Sequence, residues 1–129
     1  MTPFDWRVFL IIAHELRNDP REGAQRTCVG RDYYYVFNLG LDKARRMTFT
    51  GGIRGLHKKL WNWCQKQTDR DIKKLGTAGG RMHSRRIDAD YLDNFPNLRD
   101  EVERQLRLAR EFEVVVARSD GQAPPAALP

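Results

Sequence analysis

The chain has 129 residues, of which 40% are hydrophobic and 31% charged, a length and balance that suit one small domain with a single core. Its formal net charge of +6 and its isoelectric point near 9.7 favour a polyanion or an acidic protein as partner. No apolar run is long enough to cross a bilayer, no secretory signal is recognisable, and two cysteines are too few for a disulfide framework, so we expect a cytoplasmic protein without a membrane partner.

The first part of the chain predicts two helices, over residues 5–16 and 21–46. In the first helix, apolar residues recur every three or four positions, which gives it one core-facing side. A turn at Pro20 separates the two helices, since proline favours the first turn of a new helix. Three consecutive tyrosines at 33–35 lie in the second helix and cannot all face one way, so at least one should point to solvent or to a partner.

Glycine-containing segments interrupt the middle of the chain. A third helix is predicted over residues 54–67 from its apolar spacing. Asp69 or Asp71 can then cap a short helical turn that ends near residue 75. Residues 76–80 (GTAGG) indicate a flexible break, because glycine clusters commonly mark loops.

The rest of the chain predicts one more long helix. The polar residues 81–91 form either a helix or an extended connection, and residues 98–117 show clean helical spacing. Residues 119–129 are rich in Pro, Ala and Gly and are expected to be a disordered tail. The sequence therefore predicts an all-α fold: a single antiparallel up-down four-helix bundle over residues 1–118, with a possible short fifth helical segment.

Several common kinds of site are disfavoured by residue spacing. His14-Glu15 begins a zincin-like pattern, but Asn18 stands where the second histidine ligand is required. There is no CxxC pair and no phosphate-binding loop, so we expect neither a metal site nor a cofactor. A Cys–His nucleophile pair remains an alternative to the simpler interpretation of Cys28 and Cys64 as buried helix residues.

Two short segments place an arginine beside tyrosine, at residues 31–37 (RDYYYVF) and 86–91 (RIDADY). A guanidinium group stays charged and offers a planar set of donors that fits phosphate, but burying it is costly unless it is hydrogen-bonded. Arg31 and Arg86 therefore belong either to polar networks that fix helix packing or to a phosphate-facing site. For Arg86, the nearby Asp90 suits the salt-bridge alternative.

Further basic residues are candidate contacts to a nucleic-acid backbone. Arg81 and Arg85 lie in a Gly-flanked segment, and Arg54, Lys58 and Lys59 surround the start of the third helix. For the basic residues around the third helix, the alternative is an ordinary solvated helix end, because cations are favoured at helix C-termini.

Both arginine–tyrosine segments resemble signatures of one superfamily. Residues 31–37 resemble the "SRAYYAxF" signature of small prokaryotic HEPN-domain proteins, and residues 86–91 resemble their "RNxADY" segment. Phe4-Asp5-Trp6 before an apolar helix and His57 near the start of the third helix also fit this group. The similarity covers residues 4–117.

The resemblance implies a four-helix bundle, often a homodimer. In active members, an arginine and histidine motif forms a metal-independent endoribonuclease site at the dimer cleft. Other members lack catalytic residues and bind RNA or partner proteins. Many are encoded beside a small nucleotidyltransferase and form toxin–antitoxin pairs with it.

This sequence departs from the signature at Ile87, where asparagine is expected, and at Tyr91, where the superfamily motif has histidine. Metal-free RNA cleavage needs one group to take the 2′-hydroxyl proton and another to protonate the leaving oxygen, and histidine suits both roles. Tyrosine is a poor base near neutral pH, although it can donate a proton. The missing histidine therefore favours a non-catalytic role, and in a catalytic one the protons would be handled by Tyr91 itself or by His57 or His83. The candidate catalytic residues are Arg86, Tyr91, Arg31, His57 and His83.

The sequence thus favours a HEPN-like, RNA-directed toxin or defence component. It is either a metal-independent endoribonuclease that works with a nucleotidyltransferase-like antitoxin, or a non-catalytic helical module that docks RNA or a partner enzyme. A structural adaptor whose basic face meets an acidic protein is a third alternative. We expect a homodimer in each case.

Overall fold

The computed structural model describes residues 2–129, and within that range it is entirely helical, without β-strands. The helices are α1 (Arg7–Leu16), α2 (Glu22–Arg46), α3 (Leu56–Gln65), α4 (Arg70–Tyr91) and α5 (Leu98–Ser119). The prediction of an all-α fold is confirmed. None of the helices in residues 2–129 combines the length and the apolar character that crossing a bilayer requires.

Helix α4 corrects the prediction for the middle of the chain. Asp69 caps it as expected, its carboxylate accepting hydrogen bonds from the backbone N–H groups of Asp71 (2.8 Å) and Ile72 (3.2 Å). The helix does not stop near residue 75, however, but continues without interruption to Tyr91. The predicted flexible break at residues 76–80 is therefore wrong, and the uncertain segment 81–91 is helical.

The glycines of α4 are packing positions, because α3 lies directly against them. A Cβ atom at Gly79 would overlap the indole ring of Trp61, and one at Gly76 would lie 2.8 Å from the backbone nitrogen of Gln65. Glycine costs about 1 kcal/mol relative to alanine inside a helix. Here the close approach of α3, which buries Trp61 and Cys64, offsets that cost.

Helix α2 lies at the centre of the fold and contacts the other four helices. It runs parallel to α5, since Tyr35 contacts Glu113 and, two turns further along both helices, Lys43 contacts Asp120. Helix α4 runs antiparallel to α2, and α3 runs antiparallel to α4. The core fills the space between them, and α2 supplies more of its buried residues than any other helix.

A buried carboxylate joins α1, α2 and α5. Glu113 is almost fully buried and accepts hydrogen bonds from Arg7 Nε (2.7 Å), from the Tyr35 hydroxyl (2.6 Å) and from Arg110 Nη1 (3.1 Å). Burial alone would raise the pKa of Glu113, but these three hydrogen bonds outweigh it and hold the pKa below its ordinary value. Glu113 is thus a charged fixing point between three helices.

The residues after α5 lie over this fixing point. The backbone carbonyl of Ala126 accepts a hydrogen bond from Arg7 (2.7 Å), and that of Pro125 accepts one from Arg110 (2.6 Å). Leu128 packs against the core. Composition predicts disorder for residues 119–129. The contacts that hold these residues against the fold come from guanidinium groups on α1 and α5, and the composition of the segment cannot reveal them.

The packing of α3 on α4 leads to a test with two adjacent glycines. We expect Gly79→Ala to lower the free energy of unfolding by about 1–3 kcal/mol, because its methyl group would overlap Trp61. Gly80→Ala is the matched control: the nearest atom to its Cβ is 4.0 Å away, so it should be neutral or stabilising by up to about 1 kcal/mol. Urea denaturation measures both, and equal effects would contradict the close packing.

Candidate active site

Two histidines from different helices meet beside Arg86. His57 lies in the first turn of α3 and His83 lies in α4, one helical turn before Arg86. The two imidazole rings are 5.1 Å apart between centroids and only 10° from parallel, and both are partly exposed. The positive charge of Arg86 acts on both rings. We call His57, His83 and Arg86 the histidine–arginine cluster.

A chain of hydrogen bonds orients the first of these histidines. The Trp61 indole N–H donates to the Tyr33 hydroxyl (3.1 Å), which lies 2.6 Å from His57 Nδ1. Trp61 can only donate, so the proton of the Tyr33 hydroxyl is free to be given to Nδ1. Burial raises the pKa of Tyr33, which keeps that proton in place. We therefore assign the remaining proton of neutral His57 to Nε2.

Both histidines are held in the neutral form at pH 7. Burial lowers the pKa of His57 to about 4, helped by His83 and Arg86. Burial also lowers the pKa of His83, helped by Arg86 and Lys58. The cluster therefore carries its positive charge on Arg86 and keeps two uncharged imidazoles beside it, an arrangement suited to exchanging protons next to an anion.

Arg86 is fixed by contacts from two helices. Its Nη2 donates to the Tyr34 hydroxyl (2.6 Å), and its guanidinium carbon lies 5.1 Å from the centroid of the Tyr34 ring. Its Nε also lies 3.0 Å from a carboxylate oxygen of Asp90, the partner that the salt-bridge alternative predicts. Asp90 is exposed, so this ion pair orients Arg86 at little net gain in stability.

Two other candidate catalytic residues lie apart from the cluster. Tyr91 is 75% exposed, and five residues after Arg86 it leaves α4 in a different direction. Arg31 stacks on the Phe9 ring of α1, with 4.9 Å from its guanidinium carbon to the ring centroid. Arg31 is therefore linked to the cluster through Phe9 and Tyr34, whose rings are neighbours.

The predicted nucleic-acid contacts divide between two sides of α4. Arg81 and Arg85 face α5, where both approach Glu101, at 3.8 Å and 2.9 Å. Their helical positions place them on the side of α4 opposite His83 and Arg86. A role for these two arginines in binding nucleic acid stays a prediction.

The remaining basic candidates lie at the start of α3. Arg54, Lys58 and Lys59 are exposed there. Lys58 follows His57 directly and is close enough to lower the pKa of His83. It is thus the member of this group nearest the histidine–arginine cluster.

Sequence reasoning did not assign the supporting aromatic residues. Phe37 stacks on His57 at 3.9 Å between ring centroids, and Trp61 and Tyr33 complete the hydrogen-bond chain. A weak signal existed, because Tyr33 and Phe37 are four residues apart and so share a face of α2. Nothing in the linear pattern indicates that His57 and His83, 26 positions apart, stack on each other.

The two cysteines lie away from the cluster. Cys28 Sγ lies 3.3 Å from the backbone carbonyl of Ala13, and burial raises the pKa of its thiol. Burial also raises the pKa of Cys64 to about 12. Neither thiol forms a hydrogen bond with a histidine within residues 2–129, so the geometry does not favour the Cys–His alternative.

No protein-family model, curated protein or solved structure matches this chain. Within residues 2–129, no three His, Cys, Asp or Glu side chains are grouped so that they could hold a metal ion. The chemistry open to His57, His83 and Arg86 is therefore inferred from their own geometry.

The depressed pKa of His57 predicts a pH dependence of stability. An unfolded histidine titrates near 6.5, whereas folded His57 titrates near 4, so the unfolded state binds the proton first as the pH falls. The stability that neutral His57 contributes is present above pH 6.5 and is lost progressively as the pH falls through 4.

We expect the wild type to lose more stability between pH 7 and pH 4.5 than His57→Gln, which has no imidazole to titrate. Urea denaturation at a series of pH values measures this difference. Parallel pH profiles of the two proteins would contradict the depressed pKa.

Proposed function

We propose that this chain is a HEPN-like, metal-independent endoribonuclease that acts as an RNA-directed toxin or defence component. One observation carries the proposal: two imidazoles stack beside an arginine that Tyr34 and Asp90 hold in place. The three groups are of the kinds that RNA cleavage by the 2′-hydroxyl requires. The net charge of +6 suits an RNA substrate.

His83 is the general base in this proposal. The 2′-oxygen attacks the phosphorus, and His83 removes the 2′-hydroxyl proton as the new P–O bond forms. Its lowered pKa keeps it unprotonated at neutral pH, and neither ring nitrogen is hydrogen-bonded to another residue in 2–129. It is therefore free to accept a proton.

His57 is the general acid, and Tyr33 is its positioning residue. When the P–O5′ bond breaks, His57 protonated on both ring nitrogens gives its Nε2 proton to the leaving oxygen and keeps its Nδ1 proton, which it donates to the Tyr33 oxygen. A phosphate group in the cluster favours that protonated form, because an anion raises the pKa of a nearby imidazole. Arg86 neutralises the charge that develops on the phosphorane oxygens.

In this assignment, His57 and His83 take over the role of the histidine that is missing from the motif. Tyr91, at the motif position, is exposed and points elsewhere, whereas His57 and His83 lie on the side of α4 that carries Arg86. The proposal includes the up-down arrangement of α1, α2, α4 and α5, with α3 as an additional helix that delivers His57. It also includes a homodimer and a nucleotidyltransferase-like antitoxin.

A non-catalytic binding module is the second candidate. The Arg86–Asp90 ion pair favours it, because Asp90 cancels part of the charge that a phosphate would meet. Such a module would bind RNA or a partner enzyme in a salt-dependent way without turnover.

Cleavage of single-stranded RNA in the presence of EDTA tests the proposal. We expect Arg86→Ala to lower kcat/KM by about 10²–10³, the usual loss for a group that stabilises transition-state charge. Arg118→Ala is the matched control: it pairs with Asp71 at the other end of α4, about 22 Å along the helix from Arg86, and should leave the rate unchanged.

Equal activity of wild type and a folded Arg86→Ala variant would contradict the proposed role. Absence of cleavage by the folded wild type, with binding that weakens as salt rises, would instead support the binding module.

The pH dependence of cleavage tests the two histidines separately from Arg86. Both titrate below the ordinary value of 6.5, His57 near 4, so both limbs of the pH profile of kcat/KM should lie below pH 6.5. We therefore expect the maximum on the acidic side of neutrality. A maximum at or above pH 7 would show that these two imidazoles are not the acid and base.

A further inference from the structure

A continuous series of aromatic rings leads from the histidine–arginine cluster to the start of α1. Starting at His83, the neighbouring rings are those of Tyr33, Tyr34, Phe9 and Trp6, each 5.3–6.4 Å from the next between centroids. The rings come from α4, α2 and α1 in turn. The chemistry proposed above uses only the end at the cluster.

The outer part of this series is accessible. Trp6 is 42% exposed and Phe4, which packs edge-on against it, is 54% exposed. Phe9 and Tyr34 are partly exposed. Large aromatic side chains in water are unfavourable unless they serve packing or a ligand, so two adjacent ones at the start of α1 mark a contact surface.

Two arginines lie along the same line. Arg31 stacks on Phe9, and Arg86 stacks on Tyr34. Arg31 forms no ion pair with any residue in 2–129, unlike Arg86, which has Asp90. A cation without a carboxylate partner, held over an aromatic ring, is available to an incoming anion.

A cleft adjoins the far end of the series. It has a volume of about 650 Å³, and its lining includes Phe4, Trp6, Asn38 and Arg45 together with the carboxylates Asp5 and Asp42. Arg45 is exposed at its rim. The aromatic walls and the amide match the requirements of a nucleobase, whereas the two carboxylates disfavour a phosphate inside the cleft.

We propose that Trp6, Phe9 and Arg31 form a subsite for unpaired RNA next to the scissile phosphate. This inference rests on the proposed function, because it takes RNA as the ligand and specifies which RNA the cluster receives. Bases stack on Trp6 and Phe9, and Arg31 contacts a phosphate between them and the phosphate at Arg86. The end of the strand beyond Trp6 lies at the cleft.

The tilt of the rings favours a single strand over a duplex. The Trp6 and Phe9 rings are 53° from parallel, and the Phe9 and Tyr34 rings are 55° from parallel. Bases that stack on neighbouring rings must therefore tilt away from one another, which only unpaired nucleotides allow at low cost. The subsite selects loops and single-stranded segments.

Fluorescence anisotropy with a labelled single-stranded 2′-deoxy 12-mer tests the subsite, because that probe has no 2′-hydroxyl and is not cleaved. We expect Trp6→Ala to weaken binding about 5- to 150-fold, the effect of losing one stacked base. Trp6→Phe, which keeps an aromatic ring, should largely retain binding. Ile11→Ala, an exposed apolar truncation elsewhere on α1, should leave binding unchanged.

Arg31→Gln should weaken binding and reduce the slope of log K against log salt by about 0.7, as expected for one lost phosphate contact to a single strand. Wild-type affinity in Trp6→Ala would overturn the subsite, and so would a wild type that binds no single strand at low salt.

A dinucleoside monophosphate separates this inference from the proposed function, since it is too short to reach Trp6 from the cluster. One outcome is that the wild type and Trp6→Ala cleave the dinucleoside monophosphate equally well and bind the 12-mer with equal affinity. In that case the endoribonuclease proposal stands and the subsite is wrong. If Trp6→Ala weakens binding of the 12-mer but the wild type cleaves neither RNA, the stacking subsite stands and the catalytic proposal is wrong.

Discussion

The close approach of α3 to α4 is the constraint on which the candidate site depends. Gly79 leaves room for Trp61 to lie against the backbone of α4, and Gly76 leaves room for the end of α3 at Cys64 and Gln65. In that position the Trp61 indole N–H reaches the Tyr33 hydroxyl, and Tyr33 in turn orients the His57 ring. The same approach places His57 over His83. A wider spacing between the two helices would both break the hydrogen-bond chain and separate the two imidazoles.

The electrostatics of the cluster follow from this packing. The histidines lose most of their contact with water, and the nearest charges that act on them, Arg86 and Lys58, are positive. Both effects favour neutral imidazole. Asp90 is bound to the guanidinium group of Arg86, and no carboxylate within residues 2–129 contributes to the lowered pKa of either histidine. The cluster without ligand can therefore accept an anion. A bound anion raises the pKa of both imidazoles and so favours their protonated forms.

Apolar spacing and turn residues were sufficient to predict α1, α2, α3 and α5 to within two residues at each end. They failed for α4, because the sequence alone does not distinguish a glycine that ends a helix from a glycine that makes room for a neighbouring indole ring. The composition of the site was partly predictable: Arg86 and both histidines were candidates. The contact between the two histidines was not predictable, since it depends on α3 folding back along α4. Tyr91 was a candidate only because of its position in the motif.

The buried cysteines lie at two separate helix contacts. Cys28 is covered by α1, where its sulfur meets the Ala13 carbonyl, and Cys64 is covered by α4 opposite Gly76. Each thiol is sealed from water and from thiolate formation only while its own pair of helices stays closed. The chain therefore carries two built-in reporters of local opening: a reagent that alkylates Cys64 first would reveal that α3, and with it His57, separates from the fold before α1 does.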